Sequence, residues 1–170
     1  MTLPAPSVRL LICGAADRGD DGAALTAIAR LLPTLDAATL ERLEVRRCLQ
    51  LDPLDLIDVA EDQSCLVIDT VVGIEPGSVI AIPLEELASR ASALTPRSSH
   101  ALPFEQVLGI ADAIRGGLPR GTFVGIGGKR FGFGSSHSRA VTAGMGALQA
   151  AIETELARLL AGQAAVAAPS

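Results

Sequence analysis

The sequence contains no tryptophan, no tyrosine and only four phenylalanines. Its core must therefore be aliphatic, and a surface on which nucleobases stack has almost nothing to build with. Positive charge is also short, with 14 Lys and Arg against 19 Asp and Glu and a net charge of -5. A nucleic-acid partner needs a basic stripe, so none is expected. The three cysteines, Cys13, Cys48 and Cys65, show no CxxC spacing and sit within apolar runs. They read as small buried hydrophobes in a reducing compartment, with no thiolate metal site. No apolar run is long enough to span a membrane, and the opening "MTLPAPSVRLLICG" lacks the basic start of a signal peptide. The expectations are no membrane association and a cytoplasmic location.

What is present is a chain of 170 residues, 49% hydrophobic and 19% charged. That is enough to bury a core without disulfides or a structural metal. One domain spanning residues 1–170 is expected, ordered from about residue 8 to about residue 162, with short mobile tails.

Apolar runs and helical periodicities alternate along it. Val8 to Cys13 reads as a strand covered on both faces, and Leu25, Ile28, Ala29 and Leu32 recur at helical spacing before Pro33. "LEVRRCLQL" alternates, as a strand nearer a sheet edge does, and "DPLDLIDVA" opens a short helix with Asp52 and Pro53. "SCLVIDTVVG" is a buried strand finishing on Asp69, and "GSVIAIPL" is another strand after the Pro76-Gly77 turn. Pro103 to Ile114 is helical and stopped by Gly116-Gly117. "GTFVGIGG" is the next strand, and Ser138 to Leu160 the longest helix. This order predicts an α/β fold, a three-layer α/β/α sandwich of the hydrolase-like kind with a mostly parallel sheet.

In such sheets ligands gather beyond the carboxyl ends of the strands. Those ends carry Asp17, Asp20 and Asp21, then Asp69, then Lys129 and Arg130, while His100 opens a helix in "SSHALPFEQ". Carboxylates and an imidazole converging from separate loops make an oxygen and nitrogen donor set for a divalent transition ion, nickel and zinc included. Plainer roles stand beside this one. Asp20 or Asp21 can cap the helix near Gly22, and His100 can cap a helix or face solvent. Asp69, at the end of a buried strand, is costly unless paired, which favours a functional role. Asp17 can orient a ligand from behind. His137 lies in a glycine-rich stretch that reads as a flexible loop. "GIGGKRFGFG" fits neither phosphate-loop pattern, and Ser98, Ser99, Ser135 and Ser136 stand in no GxSxG elbow.

Taken in order, "GAADRGDDGAA", "LVIDTVVGIEPGSV", "SSHALPFEQVL" and "FVGIGGKRFGFGSSHSRAV" give a chain that resembles the hydrogenase maturation proteases from about Arg9 to Leu160. The resemblance implies an α/β/α endopeptidase that removes the C-terminal extension of an immature nickel-iron hydrogenase large subunit. It implies that nickel already loaded into that partner is the recognition element, so the metal is supplied by the precursor and not held permanently. Position by position, it places metal contacts on Asp21, Asp69 and His100, with Asp21 and Asp69 also catalytic. The sequence departs from the family at Gly14-Ala15, where Gly-Asn is frequent, and at Ser136, His137 and Ser138, where "LSP" is frequent.

Two other readings compete. One is a non-catalytic metal-binding or assembly factor of the same fold. The other is a phospho-acceptor receiver domain, which shares paired acidic residues, a later aspartate and a lysine, although here the pair is set off from its strand by "GAADRG". The sequence leaves the oligomeric state open, a monomer being compatible with it.

Overall fold

The computed structural model describes residues 7–90, 95–96 and 102–167. Among the described residues six strands run in the order β1 (Val8–Cys13), β2 (Leu43–Cys48), β3 (Ser64–Val72), β4 (Val79–Pro83), β5 (Thr95–Pro96) and β6 (Gly121–Gly127). The helices are α1 (Ala23–Leu31), α2 (Ala37–Glu41), α3 (Pro53–Ile57), α4 (Leu84–Arg90), α5 (Phe104–Arg115) and α6 (Arg139–Ala167). In the sheet the strands lie β2-β1-β3-β6-β4, with β5 added against β3. Pairings among β2, β1, β3 and β6 are parallel, whereas β4 runs antiparallel to β6 and β5 antiparallel to β3.

The period of two along each strand divides the core between two faces. Leu10, Ile12, Leu66, Ile68, Val124 and Ile126 pack with α1 and α6. Leu11, Cys13, Cys65, Val67, Val71 and Phe123 pack with α3, α4 and α5. The result is the expected three-layer sandwich. Both faces of the central strands are covered, which is why β1 and β3 read as almost unbroken apolar runs.

Local chemistry sets several boundaries. Asp52 accepts from the Leu54 N–H at 2.9 Å and Asp55 from the Asp52 N–H at 3.0 Å, a reciprocal cap that starts α3 at Pro53. Gly116, at φ 77°, ends α5 in the left-handed conformation. In α6, Gly144 lies under the Gly77 turn, where a Cβ would overlap the Gly77 carbonyl, whereas Gly146 and Gly162 face open space.

Two expected boundaries move. β3 does not finish on Asp69 but continues to Val72, because Val71 still pairs with Gly127 of β6 and Val72 with Thr95 of β5. The last helix passes Leu160 and reaches Ala167, since "AGQAAVA" holds strong helix formers and no proline. The short helices α2 and α4 were not signalled by a long apolar period. Among the described residues no helix is long and apolar enough to cross a membrane.

Candidate active site

The chain leaves β1 to form its neighbour β2 and then crosses to the other side of β1 to form β3. In open α/β sheets the ligand crevice lies where the strand order reverses, which here is at the carboxyl ends of β1 and β3. The loops after β1, β3 and β6 converge there.

The loop after β1 turns at Gly14, whose φ of 124° is closed to most side chains. A Cβ at Gly14 would also overlap the backbone carbonyl oxygen of Asp21. The chain then doubles back into a single 3-10 turn, Gly19–Gly22, that carries Asp20 and Asp21. Both aspartates are buried, at 0% and 2% exposure.

These neighbours have different tasks. Asp20 does not cap α1, whose N-cap is Gly22 with no side-chain hydrogen bond. Its Oδ2 instead accepts from the N–H groups of Lys129 at 2.9 Å and Arg130 at 2.8 Å, and its Oδ1 from the Ser138 N–H at 2.6 Å. The Asp20 N–H donates to the Arg130 carbonyl at 2.7 Å. Asp20 thus clamps the acidic turn to the loop between β6 and α6. Burial pushes its pKa up, but the N–H donors of Ser138, Lys129 and Arg130 outweigh it and hold the carboxyl below the usual aspartate range.

Asp21 turns the other way. Its Oδ2 accepts from the Ala15 N–H at 2.8 Å, across the loop that Gly14 begins. Asp69, 6% exposed, accepts from the Thr70 N–H at 2.7 Å through Oδ1. The turn and the strand are tied directly, because the buried Thr70 hydroxyl donates to the Asp20 carbonyl at 2.8 Å. That bond seats the acidic turn on the residue beside Asp69. The two sequence-selected carboxylates, Asp21 and Asp69, are thereby carried on segments tied directly to each other.

His100, with Ser98 and Ser99, lies outside the described residues. Among the described residues no group of three His, Cys, Asp or Glu side chains gathers to hold a metal ion.

Other candidates resolve into structural roles. His137 is not in a loose loop: its Nδ1 meets the Gly19 carbonyl at 2.8 Å and its Nε2 the Thr26 hydroxyl at 2.9 Å, pinning the β6–α6 loop to the acidic turn and α1. Asp17 is exposed and contributes its backbone carbonyl to the Gly134 N–H at 2.7 Å. Lys129 and Arg130 offer their backbones to Asp20 and leave their side chains exposed beside the crevice. Arg18 stacks over the ring of Phe133 at 3.9 Å, and Phe133 is 72% exposed. The glycine-rich stretch after β6 is the receiving half of the clamp. Sequence reasoning missed Thr70 and Ser138 as organisers of the site. Only Ser138's place before a long helix hinted at a role.

No family model matches this sequence, and no curated protein matches it. Solved structures do. The hydrogenase maturating endopeptidase HybD from E. coli superposes with a TM-score of 0.67 at 16% identity, covering 89% of this chain and 92% of that one. The [NiFe] hydrogenase maturation protease HybD from Thermococcus kodakarensis gives 0.59 at 22% identity, covering 86% and 97%. The [NiFe] hydrogenase maturation protease HycI from Thermococcus kodakarensis KOD1 gives 0.58 at 18% identity, covering 89% and 93%. The chain shares the α/β fold of the hydrogenase maturation proteases over most of its length, the likeness that its motifs implied.

Proposed function

We propose that this protein is an endopeptidase that removes the C-terminal extension of a nickel-loaded hydrogenase large-subunit precursor. The fold is that of proteins named as hydrogenase maturation proteases, with most of each chain covered. The observation that supports the reading is the Thr70 hydrogen bond to the Asp20 carbonyl, which ties the turn carrying Asp21 to the residue beside Asp69, near the reversal of strand order.

In this reading nickel is part of the substrate, held by the precursor's own cysteines. Asp21, Asp69 and His100 complete its coordination and so place the scissile peptide in the crevice. One of the two carboxylates takes the proton from the attacking water as it adds to the carbonyl carbon. Asp20 belongs to none of these steps, since its oxygens hold three backbone N–H groups. This also weakens the receiver reading, because one of the paired acidic side chains is committed to the backbone.

The test combines purified protein with the immature large subunit, with and without nickel, and reads the mass of the product. A nickel-dependent loss of the C-terminal peptide is expected from the natural sequence, and none from Asp21→Ala, Asp69→Ala or His100→Ala. Unimpaired cleavage by Asp69→Ala or His100→Ala would overturn the assignment. Stoichiometric binding of the precursor without cleavage would favour the assembly-factor reading.

A further inference from the structure

Two of the cysteines that the sequence separates by 34 intervening residues meet in the fold. Cys13 is the last residue of β1 and Cys48 the last of β2, and they are direct partners in the parallel register. Their sulfurs are in direct contact at 2.7 Å, and both are free thiols. Adjacent strands lie about 4.8 Å apart, inside the range of about 4.4 to 6.8 Å that separates the Cα atoms of a disulfide. Cys48 is half-buried and Cys13 fully buried, so a reagent arriving from solvent meets Cys48 first. Cys65, also buried, begins the inner part of β3 and has no such partner in register, since it pairs with Arg9 and Gly121.

We propose that Cys13 and Cys48 form a thiol–disulfide exchange site, a dithiol that closes to an intramolecular disulfide on reaction with a small-molecule disulfide such as oxidised glutathione. The Cys48 thiolate attacks one sulfur of the reagent, forming a mixed disulfide and releasing one glutathione thiolate. The Cys13 sulfur then attacks the Cys48 sulfur, the strand-to-strand bond forms, and the second glutathione leaves. The protein loses two electrons and two protons, and the reagent takes both up as two thiols. In a reducing compartment such a pair remains a dithiol and closes only when small-molecule disulfides accumulate.

The placement gives closure a consequence. The residue after Cys13 is Gly14, whose N–H donates to the Cys48 carbonyl at 3.0 Å, and the next N–H, of Ala15, holds Asp21. A covalent bond between Cys13 and Cys48 therefore pins the root of the acidic loop.

The full-length protein is incubated in its native state with oxidised glutathione and analysed by intact mass. The crosslinked peptides are then mapped after cleavage at aspartate, which separates Cys48 from Cys65 at Asp52, Asp55, Asp58 and Asp62. The expected result is a mass lower by two hydrogens, a Cys13–Cys48 peptide pair, and complete reversal by dithiothreitol. Cys13→Ala should stop at a glutathione adduct on Cys48, Cys48→Ala should not react, and Cys65→Ala should behave as the natural sequence does. Hydrogen exchange over residues 14–21 should slow in the crosslinked form. A stable glutathione adduct in the natural sequence, a bond involving Cys65, or a disulfide-linked dimer would overturn the proposal. None of these readouts depends on peptidase activity, so they stand or fall apart from the proposed function.

Discussion

Arg9 and Asp20 are both buried charges attached to β1 or the loop that leaves it, at 4% and 0% exposure, yet their surroundings answer them in different ways. At the amino end of β1 the answer is opposite charge. Arg9 pairs with Glu44 at 3.0 Å and with Asp58, and Arg46 joins the same two carboxylates at 2.6 and 2.9 Å. Gln63 adds a hydrogen bond to Glu44 at 2.8 Å. At the carboxyl end Asp20 is held by main-chain N–H groups, which fix its orientation and bring no formal charge of their own. The first arrangement neutralises a charge as part of the framework. The second locks in place the turn that also carries Asp21.

The sharpest break in this comparison is catalytic. Asp69→Asn should lower cleavage of the nickel-loaded precursor by roughly 10²–10⁴-fold, while thermal unfolding followed by circular dichroism stays near that of the natural protein. A cleavage rate close to normal would move Asp69 into the framework class.

Next in size is Asp20→Ala, which strands three backbone N–H groups. A destabilisation of about 3 kcal/mol is expected, read as a lower urea midpoint at constant slope. An effect within experimental scatter would mean that the clamp is dispensable.

Removing Arg9 should cost less than the roughly 3–5 kcal/mol of a fully buried pair, because Glu44 and Asp58 keep access to water. Arg9→Met is expected to lower stability by about 2 kcal/mol, whereas Arg46→Ala, on the exposed side of the same network, should change it by under about 1 kcal/mol. Equal losses from both would erase the distinction between buried and exposed partners.

A smaller effect is expected in acid. Asp20 titrates below the usual aspartate range in the folded protein, so its stabilising contribution is present above the unfolded-state pKa, about 3.9, and fades as pH falls through the lower folded value. Asp20→Asn should therefore flatten the decline of stability below about pH 4. Burial raises Glu44 and Asp58, but Gln63, Arg9 and Arg46 outweigh it for Glu44 and Arg46 and Arg9 for Asp58, so both stay lowered and keep their share of that decline. An unchanged acid slope in Asp20→Asn would show that the clamp does not shift the titration.

Much of the framework was legible because β1, β3 and β6 are buried on both faces and must be written in apolar residues. Proline and glycine marked the ends of α1 and α5. The antiparallel entry of β4 was not legible, since strand direction depends on which neighbour accepts the strand. At the site, Asp69 stood out because a carboxylate in a buried apolar strand demands a reason, and Asp21 because it belongs to an acidic loop between a strand and a helix. The division of labour between Asp20 and Asp21 was hidden: the donors that claim Asp20 lie more than a hundred residues away, in a loop whose backbone, and not its side chains, makes the bonds. Thr70 and the Cys13–Cys48 pair were hidden for a related reason, being defined by strand register and not by sequence spacing.

The glycines of α6 offer a practical handle. Gly144 has to stay small where the helix crosses the Gly77 turn, but among the described residues Gly146 and Gly162 have no neighbour to meet a methyl group. Alanine at those two positions would strengthen the scaffold, giving engineers a reserve of stability with which to tolerate damaging changes around Asp21 and Asp69.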